Sequence, residues 1–191
     1  MDATLDSQID TDVQLFTERA TPLGSIVERV ADSAALATLV REAASSDGEP
    51  AVSVSRPVAD VAPEFVTALT AAGVTVAVVQ GPDDARDKPV GISIAHRAIA
   101  ETGSALLDER HLQDRASSLM TLHNIVIIRT QDLLPSLDST PELLREIARR
   151  GPGGYASFMT GPSRTADIEM SLTVGVQGPG QITMVFVDSL T

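Results

Sequence analysis

Polar and charged side chains are concentrated in one short stretch, residues 161–169. It reads Gly-Pro-Ser-Arg-Thr-Ala-Asp-Ile-Glu and is followed by the turn sequence Gly-Val-Gln-Gly-Pro at 175–179. We predict a strand before this stretch and a helix over 165–174. Hydroxyl groups, a guanidinium and free backbone N–H groups at a helix start can hold a phosphate or a carboxylate. The candidate ligands for a small anion are Gly161, Ser163, Arg164 and Thr165.

The same turn also has a purely structural interpretation. Ser163 or Thr165 would then only satisfy backbone N–H groups at the helix start. Asp167 and Glu169 suit the positive end of the helix dipole, but they would repel an anion. Because they are two residues apart, they point about 200° away from each other on a helix and form no acid–base pair. Anion binding and capping both stay open for this turn.

A second candidate is Glu101, in the Ala-Glu-Thr-Gly turn that we predict between two apolar strands. A carboxylate is a chemically reasonable nucleophile for acyl transfer, which makes Glu101 the candidate catalytic residue. The alternatives are ligand contact, with Thr102 and Gly103 of the same turn, and a structural turn. Gly178 is a further candidate contact, because glycine lets the backbone approach a ligand closely.

The composition excludes several classes of function. There are 26 acidic and 14 basic residues, a net charge of −12, which disfavours binding to nucleic acid or to an anionic membrane surface. The sequence has no cysteine and its three histidines lack metal-ligand spacing, so we predict no metal site in this chain. We interpret His123, at a strand start, as a hydrogen-bonded packing residue, and His96 and His111 as solvated.

The chain shows no targeting or membrane signal. No stretch approaches the roughly 18 apolar residues of a membrane-spanning helix. The acidic residues 1–6 lack the basic start and apolar run of a signal peptide. We therefore expect a cytoplasmic protein without membrane insertion.

Apolar periodicity predicts the elements that position these residues. Residues 1–22 are polar and aperiodic, which predicts a flexible tail before a single domain over 23–191. A capping-box pattern at Ser25 and Glu28 predicts a helix over 26–45. Strands and helices alternate along the rest of the chain, so we predict an α/β fold, a three-layer sandwich with a mostly parallel sheet. The predicted strands lie at 51–54, 74–79, 91–95, 104–107, 125–128, 155–159 and 182–187, and further helices at 63–73 and 140–151.

From about residue 74 onward, the chain resembles the lactate-utilisation (LUD) domain family, protein C type. One departure is Gln177, where we expect histidine in many relatives, so no imidazole acts at that position. The resemblance is carried by Ala100–Ser104, by 119–128 with His123, by 161–169, by Gly175–Pro179 and by 185–188.

This resemblance implies a fold similar to the ribose-phosphate isomerase and CoA-transferase superfamily. In the CoA-transferase relatives of that fold, a Glu closely followed by Gly acts as nucleophile. It also implies an accessory role in bacterial oxidation of L-lactate to pyruvate, together with an iron–sulfur protein and a cysteine-rich protein. Iron–sulfur clusters are then expected on those partners, and no cofactor in this chain.

Two other functions stay open. One is a transferase or isomerase acting on a CoA, sugar-phosphate or organic-acid ligand. The other is a regulatory module that senses lactate or pyruvate. Whether the chain alone is catalytic, and whether it forms a homo-oligomer, also stay open.

Overall fold

The computed structural model describes residues 3–45, 49–150, 154–165, 173–175 and 178–191. Its helices are α1 (Ala3–Ala20), α2 (Ser33–Ala44), α3 (Arg56–Val61), α4 (Pro63–Ala71), α5 (Asp114–Leu119) and α6 (Pro141–Arg149). Its strands are β1 (Ser25–Asp32), β2 (Ala51–Val54), β3 (Thr75–Val78), β4 (Val90–Ile94), β5 (Arg97–Ile99), β6 (Ser104–Asp108), β7 (His123–Arg129), β8 (Leu133–Leu134), β9 (Ala156–Met159), β10 (Arg164–Thr165), β11 (Thr173–Val174) and β12 (Gln181–Ser189).

A six-stranded sheet forms the centre of the molecule. Its strand order is β1-β12-β7-β4-β2-β3, and every neighbouring pair is parallel. The carboxyl ends of all six strands therefore lie along one edge of the sheet. A second sheet, with the order β8-β5-β6-β9, contains antiparallel and parallel pairs.

The central strands are buried on both faces. In β7, Ile125 and Ile127 point to one face, and Val126 and Ile128 point to the other. Strand β12 alternates in the same way between its two faces. This double burial is the reason that both strands are almost continuous apolar runs.

Three layers result from this alternation. Helices α2, α3 and α4 pack on one face through buried side chains such as Leu36, Val58 and Phe65. Helix α1 and the second sheet cover the other face, where Phe16 and Leu107 are fully buried. The predicted α/β sandwich with a mostly parallel sheet is confirmed. None of the described helices is long and apolar enough to cross a bilayer.

The amino-terminal segment differs from the predicted flexible tail, because residues 3–20 form helix α1. Val13, Phe16 and Ala20 follow one another at helical spacing and pack into the core beneath the sheet. The ring of Phe16 meets that of Phe186 edge to face, with centroids 5.0 Å apart. A sparse apolar stripe of this kind is easily overlooked in a polar sequence.

The predicted helix over 26–45 is wrong for its first third. Residues Ser25–Asp32 form edge strand β1, parallel to β12, and the helix begins only at Ser33. The Asp32 carboxylate caps that helix, accepting hydrogen bonds from the amides of Ala34 at 3.0 Å and Ala35 at 2.9 Å. The Ser25 hydroxyl instead donates to the carbonyl of Thr160 at 2.8 Å. Apolar residues at 26 and 30 fit a half-buried strand as well as a helix, so their spacing did not decide between the two.

The predicted helix over 165–174 is also wrong at both of its ends. Arg164 and Thr165 pair antiparallel with Val174 and Thr173 as strands β10 and β11. The acidic residues Asp167 and Glu169, together with Gln177, lie outside the described residues. The other predicted strands and helices are present, with ends that differ by at most two residues.

Replacement of Phe16 by alanine tests whether α1 belongs to the core. Because the ring is fully buried, we expect Phe16→Ala to lower the free energy of unfolding by about 3–5 kcal/mol. Urea denaturation followed by circular dichroism measures this change. The exposed Gln14→Ala on the same helix is the control and should change stability by no more than about 0.5 kcal/mol. Equal effects of the two variants would contradict the docking of α1.

Candidate functional site

A cavity of about 520 Å³ opens where the strand order of the central sheet reverses. After β2 the chain places β3 on one side, and then crosses back to place β4 on the other side. In open α/β sheets, ligands bind outside the carboxyl ends of the strands at such a reversal. The cavity volume lies within the range of about 300–1,000 Å³ typical of ligand sites.

Three neighbouring strands supply a row of basic side chains to this cavity. Arg56 follows β2, His96 follows β4, and Arg129 ends β7. His96 and Arg129 each lie two residues beyond Ile94 and Ile127, which pair across β4 and β7. The order of the strands therefore places His96 between the two arginines along this edge of the sheet.

The charged lining of the cavity is mostly cationic, in a chain whose net charge is −12. Four of the 14 basic residues line it, against three carboxylates. The basic set is Arg56, Arg110, Arg129 and Arg150, with His96 and His111 in addition; the carboxylates are Asp60, Asp108 and Asp114. Such a surplus of cations favours an anionic ligand.

Arg56 is held by a buried aspartate. Its Nε and Nη2 atoms donate to the two carboxylate oxygens of Asp114, at 3.0 and 3.3 Å. Asp114 is only 2% exposed and begins helix α5. That helix lies directly on β4, since a Cβ added at Gly91 would be 1.8 Å from the carbonyl oxygen of Ser117. Close packing of α5 thus fixes the aspartate, and the aspartate orients the arginine.

Arginines on the opposite side of the cavity are fixed in a similar way. Asp132 accepts from Arg129 Nε at 2.5 Å and pairs with Arg97 Nη1 at 3.1 Å. Asp108 accepts from Arg150 Nη1 at 2.7 Å. Each arginine has five N–H donors, so these pairs leave other donors available for a ligand.

His96 is the candidate proton acceptor of the site. Burial lowers the pKa of its imidazole, and the positive charge of Arg97 lowers it further, while Asp108 opposes the shift. The ring is therefore neutral at pH 7, and no described residue forms a hydrogen bond with its nitrogens. A neutral imidazole facing a ligand cavity can accept a proton from a bound hydroxyl group.

Glu109 lies between two cavity residues, Asp108 and Arg110, but its own side chain is buried. Burial raises the pKa of its carboxyl to about 7; the negative charge of Asp114 adds to the shift, and Ser118 and Arg115 oppose it. Its Oε1 atom is buried and has no hydrogen-bond partner among the described residues. This carboxyl is partly protonated at neutral pH, directly behind the cavity wall.

The residues singled out in the sequence lie elsewhere, around the start of β1. Glu101 is exposed, and its carboxylate accepts from the amide of Leu137 at 2.9 Å. Gly103, with φ +62°, packs against the end of α1, where a Cβ would lie 2.6 Å from the amide nitrogen of Ala20. The hydroxyl of Thr102 is buried and has no hydrogen-bond partner in the described part of the chain.

The 161–165 turn packs against Leu23. A Cβ at Gly161 would lie 2.5 Å from the carbonyl oxygen of Leu23, and Arg164 Nη2 donates to that same oxygen. No helix begins at this turn, because Arg164 and Thr165 belong to strand β10.

Ser163 connects the turn to the segment that precedes β12. It donates from its amide to Pro179 at 3.3 Å and accepts from Gly175 at 2.8 Å, while Gly178 packs against its side chain. These residues thus make local contacts, and within the described ranges none of them lines the cavity.

Sequence reasoning missed the cavity residues, although a signal for them exists. Arg56, His96 and Arg129 each follow or end a buried strand of a predicted parallel sheet, where site residues are expected to converge. His123 fits its interpretation as a packing residue, because its Nε2 is 2.8 Å from the hydroxyl of Thr183. In the described ranges, no three His, Asp or Glu side chains are arranged to hold a metal ion.

The carboxyl of Glu109 makes stability depend on pH. Its folded-state pKa of about 7 exceeds the ordinary value of 4.5, so the folded protein binds the additional proton and stability falls as pH rises through this window. A pKa shift of this size lowers the free energy of unfolding by about 3 kcal/mol above pH 7. We expect Glu109→Gln to match the wild type near pH 4 and to exceed its stability by up to about 3 kcal/mol near pH 8. Urea denaturation at both pH values measures this difference, and a constant difference would contradict the assignment.

Comparisons with known proteins agree with this architecture. The crystal structure of a DUF162 family protein from Deinococcus radiodurans superposes with a TM-score of 0.65, covering 94% of this chain and 98% of that one, at 18% identity. At this level of identity the similarity concerns the fold alone.

Sequence relatives are more specific. Lactate utilization protein C of an Exiguobacterium species is 38% identical over 104 residues, which are 53% of this chain and 45% of that protein. Its namesake from Oceanobacillus iheyensis is 38% identical over 101 residues, 52% of this chain and 43% of that protein. The chain thus matches less than half the length of these curated relatives.

The family model described as the LUD domain matches residues 83–187, more than half of the 191 residues. The matched range contains His96, Asp108, Asp114 and Arg129 of the cavity. The chain belongs to the LUD domain family.

Proposed function

We propose that this chain acts in the utilisation of L-lactate, and that it holds the lactate carboxylate in the arginine-lined cavity. The observation that carries the proposal is the row formed by Arg129 and His96 at the carboxyl ends of β7 and β4. The names of the relatives, lactate utilization protein C, supply the metabolic context.

The chemistry of the row suits a 2-hydroxy acid. Arg129, fixed by Asp132, binds the carboxylate with the donors that the aspartate leaves free. The neutral His96 accepts the proton of the 2-hydroxyl group. Both groups lie at the carboxyl ends of adjacent strands, which suits a ligand whose carboxylate and hydroxyl are on neighbouring carbon atoms.

Oxidation of lactate to pyruvate releases two protons and two electrons. His96 takes the hydroxyl proton; the electrons and the second proton pass to partner proteins that carry iron–sulfur clusters. The sequence contains no cysteine, so a cysteine-ligated cluster belongs to another polypeptide or segment. In this proposal the chain is an accessory component of an L-lactate-oxidising system with iron–sulfur and cysteine-rich partners.

Deletion of the gene tests this function. We expect loss of growth on L-lactate and normal growth on pyruvate, with growth restored by the wild-type chain but not by Arg129→Gln. The control is Arg145→Gln, an exposed arginine on α6 that pairs with Glu142 outside the cavity and should restore growth fully. Normal growth of the deletion on lactate, in a strain without another lactate oxidase, would contradict the proposal.

Glu101→Gln tests whether the function depends on the Ala-Glu-Thr-Gly turn, which the sequence favoured, or on the cavity. The amide oxygen of glutamine can still accept from Leu137, so we expect a stability change of at most about 0.5 kcal/mol. Growth on lactate should persist with this variant. A loss of function on the order of 100-fold in a folded variant would instead identify Glu101 as a catalytic residue.

A further inference from the structure

The cavity is much larger than lactate. Lactate has six non-hydrogen atoms and occupies on the order of 150 Å³, if each atom takes rather less than the volume of a water molecule, about 30 Å³. The cavity has about 520 Å³. Lactate placed against Arg129 and His96 therefore leaves most of the space toward β2 unfilled.

The unfilled side contains a second oriented cation, Arg56. Strand β4 lies between β2 and β7, and neighbouring strands are about 4.8 Å apart, so the backbones that carry Arg56 and Arg129 are about 10 Å apart. Each of these guanidinium groups is held by an aspartate of its own, so the two cations are oriented independently of each other.

The guanidinium of Arg56 is held in one orientation by hydrogen bonds, as a side chain that binds a ligand would be. Asp114 engages its Nε and Nη2 atoms, and no described residue accepts from Nη1. The aspartate is buried and anchored on α5, so the guanidinium is fixed before any ligand arrives. Asp60, which is exposed, lines the same side and adds some repulsion, but the cavity as a whole keeps four arginines against three carboxylates.

We propose that Arg56 forms a second anion subsite, and that the cavity takes a ligand with an anionic group at each end. One end binds Arg129 beside His96, and the other end, a carboxylate or a phosphate, binds Arg56. This inference rests on the proposed function for the position of the first end. It adds a second ligand class for the same cavity, an anion that is longer and more strongly charged than lactate and that occupies both subsites at once.

Isothermal titration calorimetry of the purified chain with defined anions tests the subsite. The probes are L-lactate, malonate, succinate, glutarate and 2-phosphoglycolate at pH 7. We expect at least one of the two-ended anions to bind ten times more tightly than lactate, with an optimum length in the dicarboxylate series, because the two arginines are fixed. Comparison of phosphoglycolate with the dicarboxylates shows whether the second group is a phosphate or a carboxylate.

Variants test whether Arg56 binds the second anionic group of the ligand. Removal of Arg56 alone would leave the buried Asp114 without its partner, so the test uses the double variant Arg56→Gln with Asp114→Asn. Within this double variant, every two-ended anion should bind no more tightly than lactate does. Arg145→Gln should behave as the wild type, and equal melting temperatures of the variants check the fold.

The outcomes separate this inference from the proposed function. If all probes bind the wild type within threefold of lactate, or if the advantage survives in the double variant, the second subsite is wrong while the lactate site stands. If lactate binding persists in Arg129→Gln, the proposal that the lactate carboxylate binds Arg129 is wrong. If no probe binds, both proposals are overturned.

Discussion

The parallel pairing of all six central strands is the constraint on which the rest of the structure depends. Because the strands run in one direction, every carboxyl end lies at the same edge, and residues far apart in sequence meet there. Arg56, His96 and Arg129 are separated by 40 and 33 positions in the chain but follow three neighbouring strands. Parallel pairing also requires that both faces be covered, which explains the alternating apolar side chains of β7 and the docking of α1.

Ion pairs between aspartates and arginines orient the basic side chains at the carboxyl edge of the central sheet. Carboxylates of Asp108, Asp114 and Asp132 orient arginines that would otherwise sample many rotamers. Breaking a buried pair by removal of one partner leaves an uncompensated charge, which costs several kcal/mol, so the aspartates are as necessary to the cavity as the arginines. The same burial that strengthens these pairs keeps His96 neutral and Glu109 partly protonated.

The fold could be predicted from the sequence more completely than the site. Continuous apolar runs such as that of β7 indicate buried strands, because four consecutive β-branched side chains favour a strand over a helix. Edge strand β1 and helix α1 were missed because their apolar residues are few and fit more than one periodicity. The sequence predicts a site in one stretch with many polar residues, whereas the cavity is lined by single residues that follow separate strands. Spacing along the chain contains no information about that assembly until the strand order is known.

Gly91 gives the cavity a dependence on a residue that does not line it. A side chain of any size at this position would collide with the backbone of α5 and push the helix away from β4. Asp114 would move with the helix, and the Arg56 guanidinium, which Asp114 holds, would be displaced as well. The absence of one methyl group at Gly91, outside the lining of the cavity, thus controls where the guanidinium of Arg56 can lie.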